Sequence, residues 1–251
     1  KLKTDDNVAI GFRSMRYIGD TAGSSHGENN IAIGTFALGG GDSSTYANNT
    51  GHKNIAIGHQ ALGNGHSTAF TAYENVAIGH NVMNYGGNMV SSVAIGSTAG
   101  LYATGSYNTF VGAEAGKGGT TSAPYSSGGS NTAMGYQALD AFTTGHSNAA
   151  FGHTALSALT TGETNTALGV RAGLVLTEGD SNVFVGKDAG DSATVINEAV
   201  LIGHNAGHTI STSTGVDGTV GIGAEALASL TVGAQNVAIG YEALEELTEG
   251  Y

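Results

Sequence analysis

Along this chain a short apolar tetrad ending in glycine gives way to a polar stretch, thirteen times over. Clear copies are Ile31-Ala32-Ile33-Gly34, Ile55-Ala56-Ile57-Gly58, Thr132-Ala133-Met134-Gly135, Val183-Phe184-Val185-Gly186 and Val237-Ala238-Ile239-Gly240. The tetrads favour β-branched residues and predict short strands, while the glycine that ends each one permits a turn or a close approach. Their hydrophobic alternation is weak. That predicts two covered faces, one toward the coil interior and one toward another chain.

Successive motif glycines lie 23, 24, 21, 17, 16, 23, 17, 17, 17, 17, 20 and 17 residues apart. Seventeen residues is therefore the bare unit, and the longer intervals are that unit plus an inserted loop. Four residues before the glycine, ten units carry Asn: Asn7, Asn30, Asn54, Asn75, Asn108, Asn131, Asn148, Asn165, Asn182 and Asn236. One amide repeated in register predicts a ladder of side-chain hydrogen bonds along the stack. Asn30 with Gly34, Asn54 with Gly58, Asn148 with Gly152, Asn165 with Gly169, Asn182 with Gly186 and Asn236 with Gly240 mark that framework. Three residues after the glycine stands Ala or Val in all units but one (Ser14), followed by Leu, Met or Gly. Segments such as Tyr136-Gln137-Ala138-Leu139 have apolar spacing that suits a short helical turn, and those ending Ala-Gly an irregular one.

Fixed-period self-similarity of this kind signals a solenoid, each unit burying its apolar face against its neighbours. The fold class read from the sequence is a mainly β repeat solenoid of stacked short-strand coils with short helical turns. Residues 1–134 form a repeat shaft with inserted loops and residues 135–251 a regular shaft, in one continuous solenoid. The chain opens inside a repeat at Lys1 and closes just after one at Tyr251, and so reads as a segment of a longer protein.

Composition narrows the functional classes. Hydrophobic residues reach 40% largely through Ala, so one thin coil encloses little apolar volume. That predicts several chains sharing a core as a homotrimeric, roll-like fibre. The net charge of −12 and the scatter of only eight Lys and Arg leave no basic stripe, which argues against nucleic acid as a partner. Cysteine is absent, which removes disulfide and thiolate chemistry. No apolar run is long enough to span a bilayer as a helix.

The phrase Asn-x-Ala-Ile-Gly, as in Asn30-Ile31-Ala32-Ile33-Gly34 and Asn236-Val237-Ala238-Ile239-Gly240, resembles the YadA-like head repeat of trimeric autotransporter adhesins. It is similar also to shaft repeats of bacteriophage tail fibres. Both resemblances imply a homotrimeric extracellular fibre that contacts a host surface. The long unit and Gly135-Tyr136-Gln137-Ala138-Leu139 favour the phage-type fibre, placing the chain on a virion tail fibre. A bacterial surface adhesin on the cell surface, or a self-assembling filament with no receptor, is the alternative.

Candidate chemistry is sparse. His59, His80, His153 and His204 follow the motif glycine and share one repeated position. They are read as turn residues, and no metal or other cofactor is expected. Gly39-Gly40-Gly41-Asp42 occurs once, whereas calcium rolls repeat such a turn. The glutamates Glu242, Glu245, Glu246 and Glu249 read as a solvated face, so no catalytic residue and no enzyme activity are predicted. The inserted loops before Gly135 hold most non-repeating aromatics beside Asn, Ser, His and Gly. A ring can stack on a sugar while neighbouring amides and hydroxyls bond it, so a host glycan or protein receptor is the predicted partner. Tyr46, Phe70, Tyr73 and Tyr125 are the expected surface contacts, with Asn48, Asn49 and His66 as polar neighbours.

Overall fold

The computed structural model describes residues 6–16, 27–39, 51–63, 71–119, 125–210 and 216–250. Each of the thirteen tetrads forms a three-residue strand, and the chain is a parallel β-solenoid. It divides into two compact units, Lys1–Ser130 and Asn131–Tyr251. The first holds β1 (Val8–Ile10), β2 (Ile31–Ile33), β3 (Ile55–Ile57), β4 (Val76–Ile78), β5 (Val93–Ile95) and β6 (Thr109–Val111). The second holds β7 (Thr132–Met134), β8 (Ala149–Phe151), β9 (Thr166–Leu168), β10 (Val183–Val185), β11 (Val200–Ile202), β12 (Val220–Ile222) and β13 (Val237–Ile239). Within each unit every strand pairs in parallel with the next, and the repeat sets the register, as in Phe151 beside Leu168.

No helix occurs among the described residues, which corrects the helical turn expected after Ala-Leu units. The backbone explains why. The second and fourth residues after the motif glycine both take left-handed angles, as Gln137 (φ 53°) and Leu139 (φ 54°) do, and an α-helix cannot contain them. Units ending Ala-Gly have the same geometry, with Gly173 at φ 61° and Gly190 at φ 60°. The inter-coil ladder continues around these turns. Gly152 donates to the Met134 carbonyl (2.8 Å) and Thr154 to Tyr136 (2.9 Å), while Leu139 donates forward to Ala155 (3.0 Å). Thr154 is β-branched at a positive φ, and its hydroxyl compensates by donating to the His153 carbonyl at 2.8 Å.

Size compensation in the interior accounts for the choice between Leu and Gly at the fourth position. Where Leu139 or Leu156 stands there, the inward strand residue is Ala133 or Ala150, and all four are fully buried. The left-handed strain of roughly 1–2 kcal/mol for a Leu is offset by about 1.5–3 kcal/mol from burying it. Where the strand supplies Phe110 or Phe184, glycine relieves the strain and makes room. A Cβ on Gly173 would come within 2.8 Å of the Phe184 ring, and one on Gly190 within 2.6 Å. Each unit thus closes its own core, although thin coils were expected to need other chains for it. The outer face of the sheet is left partly open.

The asparagines build the predicted ladder. The Oδ1 of Asn148 accepts both the backbone N–H (2.9 Å) and the side-chain amide (3.1 Å) of Asn165. Asn165 passes the pattern to Asn182 at 3.0 and 2.9 Å, and all three are buried. In the first unit Asn30, Asn54 and Asn75 repeat it, and Ser92 continues it with its hydroxyl to Asn108. At Thr219 the position is occupied by a buried hydroxyl that finds no hydrogen-bond partner. A second ladder runs along the far corner, where Thr143, Thr160 and Thr177 each bond the carbonyl of the next coil.

Gly169 has φ +148°, and a Cβ there would fall on the Gly186 carbonyl of the next coil. Gly169→Val should therefore unfold the second unit or lower its melting temperature sharply, whereas Asn165→Ala should cost about 1–3 kcal/mol. Equal melting curves for wild type and Gly169→Val would show that the glycine is not structural. Thr219→Val removes an unmet hydroxyl at constant shape, so its melting temperature should equal or exceed that of wild type.

Candidate functional site

Segments 17–26, 40–50, 64–70, 120–124 and 211–215 interrupt the described chain, and all fall in one sector of the repeat. Each begins six to eight residues after a motif glycine and ends at least eight before the next. Insertions there leave both the strand and the Asn ladder intact. Four of the five belong to the first unit. Of the predicted contacts, Tyr46, Asn48, Asn49, His66 and Phe70 lie outside the described residues.

Tyr73 and Tyr125 are placed, and both sit beside this sector. Tyr73 bridges in parallel to His52 and Val90 in the adjoining coils. Its ring stacks on His52 with centroids 5.1 Å apart and planes within 1°. Glu74 next to it accepts from Lys53 Nζ (3.1 Å) and Ser91 Oγ (3.2 Å), bonds that hold its carboxyl below the usual range. Tyr125 joins Tyr85 and Tyr102, with centroids 5.2 and 6.1 Å away. Desolvation, followed by the neighbouring phenols, raises its pKa. The three rings are half-buried. Tyr85 and Tyr102 were not among the chosen contacts, yet both stand six residues after a motif glycine, at Gly79 and Gly96, which is the signal that would have paired them.

In the row of His52 and Tyr73, six residues before the motif glycine, the second unit carries the carboxylates and amide of Glu163, Asp180, Asn197 and Asp217. Asp180 accepts the Glu163 N–H (2.7 Å), Asn197 the Asp180 N–H (3.0 Å) and Asp217 the Asn197 N–H (2.8 Å). On the turn side an ion network joins three coils. Arg171 Nε and Lys187 Nζ each lie 2.5 Å from the buried Asp188 carboxylate, and His208 Nδ1 lies 2.7 Å from Asp191. The hydrogen bond from Arg171, outweighing the opposing effect of burial, holds Asp188 down to about 2. Sequence reasoning passed over this network. Its signal was the second and fifth positions after successive glycines, which the 17-residue spacing stacks directly.

The row after the motif glycine is exposed and partly aromatic. His59 stacks on His80 at 5.2 Å, and the Tyr136 ring lies 5.4 Å from His153, tilted by 30°. Among the described residues, three carboxylates, those of Glu225, Glu242 and Glu245, approach within 4.8 Å of one another. Burial, then Glu242, raises the Glu245 pKa. No helix among the described residues is long and apolar enough to cross a membrane.

The outer face of the sheet is the other unusual surface. In β2 to β13 the central residue is buried while its two neighbours are half-buried or exposed, with Met134 at 42% and Leu168 at 52%, and β1 is exposed throughout. These outward rows are apolar or Thr throughout and contain no charge. Comparison of the chain with family models, with curated proteins and with solved structures finds no match. The resemblance to adhesin and tail-fibre repeats therefore rests on the repeated phrase itself.

Asp188 supplies a pH test. Its carboxyl is depressed in the folded state, so its stabilisation is complete above the ordinary carboxylate value near 3.9 and is lost as pH falls toward 2. The melting temperature of wild type should fall across that window, and Asp188→Asn should flatten the fall. Parallel pH profiles for the two proteins would show that the network does not stabilise the fold.

Proposed function

We propose that this chain is an attachment segment of a trimeric extracellular fibre that recognises a host surface, with a bacteriophage tail fibre as the leading assignment. The observation that carries the reading is the contrast between a core each unit closes for itself and an uncharged apolar strip left open on the outer sheet face. A face of that kind is an interaction surface, and a self-associating fibre uses it along its length. The gathering of insertions in one sector supports recognition from the side of the shaft. Loops that add nothing to the stack are where binding residues concentrate, and three copies of a weak contact gain avidity. The aromatic neighbours at that sector, Tyr73 with His52 and Tyr85 with Tyr102 and Tyr125, suit a glycan or a protein surface.

The test is to shorten segments 40–50 and 64–70 until both intervals match the bare 17-residue unit. Circular dichroism and melting temperature should stay close to wild type, because the coil residues on either side are retained. Binding on a glycan array or to host cells should fall to background. Undiminished binding would place recognition outside these loops and leave this segment as a spacer.

A further inference from the structure

With cysteine and tryptophan absent, tyrosine is the side chain of this sequence that most readily gives up a single electron. Three of the ten tyrosines are held together in the first unit. Tyr85, Tyr102 and Tyr125 follow β4, β5 and β6 and so belong to three successive coils. The inter-coil ladder fixes their backbones. Tyr85 donates its N–H to the Leu101 carbonyl (3.0 Å), and the Tyr102 carbonyl accepts from Ser126 (3.1 Å). Tyr85 is the shared neighbour. Its ring centroid lies 5.0 Å from that of Tyr102 and 5.2 Å from that of Tyr125, with tilts of 34° and 32°. Tyr102 and Tyr125 are parallel and 6.1 Å apart. A bond between two phenols joins ring-edge carbons, so the two closer, tilted pairs suit it better than the wider, parallel one.

We infer that this cluster is a site of oxidative phenol coupling, in which Tyr85 becomes joined to Tyr102 or Tyr125 by a carbon–carbon bond that staples coil to coil. The oxidant is a peroxide acting through a one-electron catalyst. Each phenol loses one electron and one proton, and the two resulting radicals join at the carbons next to their hydroxyls. The hydrogen on each joined carbon then moves to the oxygen, restoring two phenols. Two tyrosines and one hydrogen peroxide thus give one dityrosine and two waters. Proximity favours this reaction over coupling between chains, because rings already in contact react as one molecule. Half-burial works in the same direction. The rings reach solvent enough to release a proton, yet a tyrosine of another molecule cannot approach them freely. A Tyr85–Tyr125 bond closes a loop of about 40 residues, which restricts the unfolded chain as a disulfide would. The second unit ties its coils with ion pairs such as Arg171–Asp188, and the first, lacking cysteine, has in this cluster the means of a covalent tie.

The test treats the 251-residue chain with a haem peroxidase and limiting hydrogen peroxide, beside a free tyrosine derivative as control. Intact mass should show a single-chain product lighter by two hydrogens, with dityrosine fluorescence, and fragmentation should place the bond between Tyr85 and Tyr102 or Tyr125. Tyr85→Phe keeps the ring and removes the hydroxyl, so circular dichroism should match wild type while the yield of this product falls about tenfold. Tyr102→Phe and Tyr125→Phe, each alone, should still couple through the remaining pair. The coupled protein should melt about 5–10 °C higher than the untreated one. Bonds found instead at the exposed Tyr107 or Tyr241 would overturn the site, as would undiminished coupling in Tyr85→Phe or no coupling where the free derivative reacts. An unchanged melting temperature would overturn the staple. None of these outcomes depends on whether the chain belongs to a fibre.

Discussion

Everything in this fold depends on hydrogen bonding between successive coils, because a coil of 17 residues with three in a strand satisfies little of its own backbone. The ladder begins in the strands, and it persists around the turns through residues in left-handed conformations, such as Gln137 and Leu139. There the chain bends while still presenting donors and acceptors along the stack. The buried asparagines add a side-chain rung at most layers, taking up a backbone N–H that the turn before the strand leaves over. A coil shifted by one residue would lose both sets of bonds and turn the strand's inward residue to solvent.

That constraint leaves the interior with one adjustable quantity, its volume. Ala opposite Leu and Phe opposite Gly are two solutions to the same space, and the chain moves between them without altering the backbone. The large ring can serve two layers: a Cβ on Gly100 or on Gly116 would meet Phe110. Variation in the repeat at these positions is thus packing, while variation at the insertion sector is free of it. The stack tolerates loops in that sector because neither the strand, the Asn ladder nor the motif glycine passes through it.

The two units use the same framework differently. The first carries four of the insertions and clusters of aromatic rings; the second carries ion pairs and carboxylates that tie coil to coil. Both present an uncharged outer sheet face. The proposed fibre draws its self-association from that face and its recognition from the decorated sector, and the two do not compete for the same residues.

The repeat period, the thirteen strands, their parallel order and the asparagine ladder were legible in the sequence, because one residue type at one offset in a 17-residue unit can stack in only one way. The turn geometry was not. Ala and Leu after the glycine have the same spacing in a helical turn as in alternating left-handed residues, and only bonds to the adjacent coil, such as Leu139 to Ala155, select the second. The same holds for the closed core, the Tyr85–Tyr102–Tyr125 cluster and the Arg171–Asp188 pair. Sequence offsets say which residues share a row, but whether neighbouring rows touch is decided by the curvature of the coil, which exists only once the coils are stacked.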